Sequence, residues 1–111
     1  MKFFLSKMIY RIVCGNGDHT SQFDEQLRIV YAESMEEAII RSREIGEKES
    51  VTFNKEDQQL VCWNFINVAE IYQLNEFADG VEVFSRINEV YDGNAYCTFV
   101  HQKAAKICEQ N

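Results

Sequence analysis

The spacing of hydrophobic and polar residues changes period several times along the chain, and each change marks an element. Residues 8–14 alternate loosely and are rich in strand-favouring side chains, which predicts a first strand. The following loop holds Asn16-Gly17, a pair that tolerates positive φ and suits a turn. Residues 26–32 read as a second strand, with Leu27, Ile29 and Tyr31 on one face, so the two strands are expected to pair antiparallel as a long-looped hairpin.

The period then becomes helical. Met35, Ala38, Ile39, Ser42 and Ile45 form one stripe, as a helix lying on a sheet requires. Ser34 and Glu37 have capping-box spacing, Glu36 and Glu37 sit at the positive end of the helix dipole, and Gly46 is placed to supply a left-handed C-terminal cap. Beyond it lie a short strand at 51–53 and a turn at 54–57.

Residues 60–74 are the longest apolar segment. Asn64, Asn67, Glu70 and Gln73 recur every third residue and imitate a helix, yet Val61, Trp63 and Phe65 alternate before Ile66, Val68 and Tyr72 take the opposite phase. A phase change inside a long strand predicts a β-bulge. A turn at 75–80 leads to a last strand at 81–91, with Val81, Val83 and Ile87 on one face and Glu82, Phe84 and Arg86 on the other. Asn94 can cap a C-terminal helix whose Tyr96, Phe99, Val100, Ala104, Ile107 and Cys108 keep helical spacing, so this tail at 94–109 is expected to dock. The resulting class is α+β. It comprises a mainly antiparallel four- to five-stranded sheet with one helix on a face and a C-terminal helix, β-β-α-β-β-β-α, in a single domain over 1–111.

Charge narrows the partners. The net charge of −7 is concentrated between residues 24 and 91, where Arg86 is the one base against five acids over 58–91. An acidic body lacks the clustered Lys and Arg that a phosphate backbone demands, so no nucleic acid partner is expected. The charge serves solubility, or gives an acidic face for a basic partner. Cys14, Cys62, Cys97 and Cys108 are scattered, without C-x-x-C, and read as reduced thiols. The opening MKFFLSKMIYRIV imitates a signal peptide, but Lys7 interrupts it and no small-residue cleavage site follows. No apolar run reaches the ~20 residues of a membrane span, so the expected setting is cytoplasmic with no membrane partner.

Motifs for chemistry are sparse. Cys97, His101 and Cys108 share a helix face, but a structural zinc needs a fourth ligand, which only the distant His19 could supply. Neither histidine is placed beside an activated nucleophile. Gly15-x-Gly17 is followed by a strand and not by the helix N-terminus of a phosphate cradle. No catalytic, cofactor-binding or metal-binding residue is assigned, and no cofactor. Glu70, Glu82 and Arg86 form a candidate polar patch for a carboxylate or a partner, with register-setting cross-strand pairs as the structural alternative. Trp63 and Phe65, one pleat apart, are expected in the core against the helix stripe.

Residues 31–46 (YAESMEEAIIRSREIG), 62–65 (CWNF) and 79–86 (DGVEVFSR) carry a resemblance. Over 10–87 the chain resembles a small bacterial family, the domain of unknown function numbered 4288, in which a strand entering an A-x-S-x-E-E-A helix precedes W-x-F and D-G-x-E-V-x-S-R strands. The resemblance implies an architecture and no mechanism.

One amphipathic helix covers one face of a sheet. The second apolar face therefore needs the C-terminal helix, the MKFFL segment or another subunit. The reading that follows is a non-catalytic protein-interaction module, a homo-oligomer (dimer) or the binder of an unknown protein partner. The alternatives are an immunity-type protein neutralising a basic toxin, and a small-ligand binder or enzyme using Glu70, Glu82 and Arg86.

Overall fold

A computed structural model describes residues 1–54 and 60–109. Its elements are β1 (Lys2–Cys14), β2 (Gln22–Ala32), α1 (Met35–Lys48), β3 (Val51–Asn54), β4 (Leu60–Leu74) and α2 (Gly93–Glu109). The sheet is antiparallel throughout, in the order β2-β1-β4-β3. Three long strands make its body, and β3 adds four residues beside the start of β4. The fold class is α+β.

The β1–β2 hairpin closes through a loop in which Gly15 and Gly17 take φ of 58° and 87°, a region that favours glycine. Strand β1 begins at Lys2, so MKFFL does not cover the sheet; it is part of the central strand. Its Phe4, Ser6, Met8 and Tyr10 are buried beneath α1, and Leu5 is buried on the other side, as a strand apolar on both faces allows.

Helix α1 forms where its caps and stripe place it. Ser34 Oγ accepts from the Glu37 N–H at 3.2 Å, and Glu37 Oε2 accepts from the Glu33 N–H, one residue earlier than a capping box requires. Ala38, Ser42 and Gly46 are its buried residues, four apart, so the small side chains let the backbone approach the strands. Gly46 is not the left-handed cap expected of it. It lies inside the helix, where a Cβ would overlap the Phe65 ring, and the cap is Glu49. The core has two clusters. Phe4, Ala32 and Ala38 gather with Ile71, and Met8, Tyr10 and Val30 with Ile45, Trp63, Phe65 and Val68. Trp63 and Phe65 thus share the helix-covered face.

Strand β4 carries two bulges where one was expected. Lys7 and Met8 pair with Glu70 and Val68, leaving Ala69 extra, and Ile9 and Tyr10 pair with Asn67 and Phe65, leaving Ile66 extra. The second shift undoes the first change of phase. It returns Ile71 and Gln73 to the helix side and puts Tyr72 on the opposite face.

The strand expected at 81–91 does not form; residues 81–90 belong to no ladder. After β4 the chain turns at Gly80 (φ 81°), with the Val81 N–H donating to Ala78 O. Phe77 stacks on Phe3 of the central strand at 5.2 Å, and Phe84 packs edge-on to Tyr72 at 5.7 Å. Stacking these rings on Phe3 and Tyr72 draws the segment across the face and away from the open edge of β4, although Phe77 and Phe84 stay partly exposed. The order is therefore β-β-α-β-β-α. Helix α2 is capped by Asp92, whose Oδ1 accepts from the Ala95 N–H at 3.0 Å, and not by Asn94. It was expected to dock, yet every described residue of α2 is exposed, and among the described residues it packs on no other element. The turn expected at 54–57 extends into residues outside the described set.

Candidate functional site

The face of the sheet opposite α1 is apolar at its margins and charged at its centre. Alternation on β2 sends Val30 and Ala32 toward α1, so Leu27, Ile29 and Tyr31 line the open side, 52%, 46% and 47% exposed. Phe23 continues the row, with the Arg11 guanidinium 5.6 Å above its ring. The far end is covered: Tyr31 touches Phe3, and Phe77 stacks on Phe3 from above. The uncovered part lies over β2 and the Ile9–Arg11 end of β1, Leu5 being buried.

Lys7 occupies the middle of this face. Its register brings Leu27 of β2 to one side and Glu70 of β4 to the other. Its Nζ lies 3.1 Å from Glu25 and 3.5 Å from Glu70, and its side chain is only 20% exposed. The hydrogen bond to Glu25 is the largest influence and raises the Lys7 pKa, against the opposing effect of burial. Tyr72 donates its hydroxyl to Glu70 Oε1 at 2.8 Å. That bond, more than the Lys7 charge, holds the Glu70 carboxyl below the usual carboxylate value, and it pushes the Tyr72 phenol up in turn. Glu70 is thus engaged from two strands.

Of the three residues singled out in the sequence, Glu70 lies in this cluster. Arg86 is close enough for its charge to help lower the Glu70 pKa, as the weakest of the causes. Glu82 lines a shallow hollow between residues 72–76 and 81–85, and no ion pair joins it to Arg86 among the described residues. No sequence signal pointed to the partnership of Lys7 with Glu25 and Glu70, which depends on register between distant strands. A second missed group lies on the helix side of β2: Arg28 donates to Gln26, Gln26 to Asp24, and the Trp63 indole N–H to Asp24 at 3.2 Å. Its period-two spacing, 24, 26 and 28, was the available clue.

Elsewhere, His19 is tied into the hairpin loop, its Nε2 accepting from the Cys14 N–H at 3.0 Å and its Nδ1 lying 2.8 Å from Thr20 O. Cys97, His101 and Cys108 project from α2, and no group of three metal-ligating side chains gathers among the described residues. No helix is long and apolar enough to cross a membrane among the described residues.

The family described as "Domain of unknown function (DUF4288)" matches residues 3–85. The chain belongs to this family. The match takes in β1, the hairpin, α1 and the whole of β4, and it stops before α2. It starts at the head of the central strand, seven residues earlier than the likeness at Tyr10 suggested. No curated protein and no solved structure matches the chain.

Proposed function

We propose that this protein is a non-catalytic, cytoplasmic interaction module that self-associates as a homodimer through the open face of its sheet. The observation that carries this reading is the row Leu27, Ile29 and Tyr31, each about half exposed on one long strand beside the rings of Phe3 and Phe23. A contiguous apolar surface on a small domain is a recurrent mark of a partner site. A two-fold interface needs a surface complementary to itself, and apolar margins around a charge-paired centre meet that need. The pairing of Lys7 with two carboxylates lets the centre be buried without an isolated charge.

Two alternatives stand beside it, a basic toxin bound in the manner of an immunity protein, which the acidic composition supports, and a small-ligand binder or enzyme using Glu70, Glu82 and Arg86. The second is weakened by Glu70, whose carboxylate is already taken by Tyr72 and Lys7. Light scattering over a concentration series tests the main reading. A dimer is expected for the natural chain, and Leu27→Asp is expected to shift it toward monomer. A strict monomer at high concentration overturns the proposal.

A further inference from the structure

We infer that the occupant of the open face is α2 of a second copy, exchanged reciprocally about a two-fold axis. This rests on the self-association proposed above and names the element that performs it.

Helix α2 is built to pack and does not pack on its own domain. Cys97, Val100, Ala104 and Ile107 recur at intervals of three, four and three, and with Tyr96 and Cys108 beside them they form one apolar stripe. Every one of them is exposed. A 17-residue helix alone in water is only marginally stable, and tertiary packing normally supplies the rest. The described Cα atoms have a radius of gyration of 18.1 Å, against about 13 Å for a compact domain of this length. The C-terminal arm therefore reaches outward from the body.

Dimensions and charge fit the second copy's sheet. At 17 residues α2 is ~26 Å long and ~10 Å wide, which spans two strands spaced ~4.8 Å apart. The uncovered ledge runs along β2 and the Ile9–Arg11 end of β1, because Leu5 is buried and Phe77 and Phe84 already sit at the β1–β4 end. The arm is anchored by Phe84, and the eight residues from there to α2 can extend about 28 Å. One docked helix covers ~260 Å² on each facing surface, so two exchanged helices bury about 1,000 Å², where specific interfaces begin. Lys103 and Lys106 against the single Glu109 give α2 a basic balance in an acidic protein, and the ledge carries Glu25, whose carboxylate stays more than half exposed beside Lys7.

The test mixes full-length chains of natural and heavy nitrogen and joins amines to carboxylates with a zero-length carbodiimide. Lys103, at the margin of the stripe, linked to Glu25 in peptides of mixed isotope is the expected result. Val100→Asp, on the stripe, is expected to weaken the dimer at least about tenfold, while Gln102→Glu on the opposite side leaves it unchanged. A dimer that Leu27→Asp breaks and Val100→Asp does not, or one whose α2 links join like isotopes only, overturns helix exchange and leaves self-association standing. A monomer, with or without like-isotope links, overturns both.

Discussion

The ring of Phe65 occupies the space that a side chain at Gly46 would need. Helix propensity alone favours alanine over glycine by about 1 kcal/mol at an interior position. Here the overlap decides the sign, because α1 would have to lift from β4 or the ring would have to leave its packed position against Tyr10. Gly46→Ala is expected to destabilise the fold by about 1–3 kcal/mol in urea unfolding. Adding Phe65→Leu should recover part of that loss, and strict additivity of the two changes would contradict the packing account.

Tyr10 reinforces the same contact. Its buried hydroxyl donates to Gly46 O at 3.0 Å, and burial is the main reason its pKa lies above 10.0. A raised folded-state value means the folded chain holds this proton more tightly, so stability is full below about pH 10 and falls as pH rises through the folded value. Tyr10→Phe should cost about 1 kcal/mol at neutral pH and flatten the alkaline decline. Equal alkaline slopes for the two proteins would remove Tyr10 from the explanation.

The Lys7 cluster makes a finer prediction. Glu70 is held low by the Tyr72 hydroxyl, the largest influence, and by the charge and hydrogen bond of Lys7, so Tyr72→Phe and Lys7→Met should each raise its pKa. Carbon-detected NMR titration of the Glu70 carboxyl reads both shifts, and a variant that leaves the titration in place would remove that partner from the explanation. The associated stability is present above about pH 4.5 and lost as pH falls through the folded value. Lys7 and Tyr72, both shifted upward, add to the alkaline side instead.

Ser42 sits between Ala38 and Gly46 on the buried line of α1, and its hydroxyl has no hydrogen-bond partner among the described residues; Ser6 in β1 is alike. An unsatisfied buried hydroxyl costs about 1–3 kcal/mol, so Ser42→Ala should be neutral or stabilise by up to about 1 kcal/mol. A clear loss of melting temperature would show that the hydroxyl is satisfied in solution.

What was legible in the sequence was local. Ser34, Glu37 and the stripe from Met35 to Ile45 are enough to place α1, and Asn16-Gly17 enough to place the hairpin turn. The alternation at 81–91 showed that the segment could be a strand. It could not show that Phe77 and Phe84 would find rings on the sheet face, because Phe3 and Tyr72 are brought to them by long-range pairing. Phe3 itself was hard to place, since residues 3–5 are apolar on both faces and carry no alternation. The candidate site suffers most from this limit. Glu70 stood out as a lone acid in an apolar run, whereas the Lys7 that binds it is 63 residues earlier and became a neighbour only through register.

The two extra residues of β4 bear on how this family can vary in length. Ile66 and Ala69 each stand outside the one-to-one pairing with β1, so the residues on either side keep their faces whether or not they are present. Removing a residue from a regular strand would turn over every side chain beyond it. Insertions and deletions among relatives, which ordinarily collect in surface loops, are therefore expected inside this strand at these two positions.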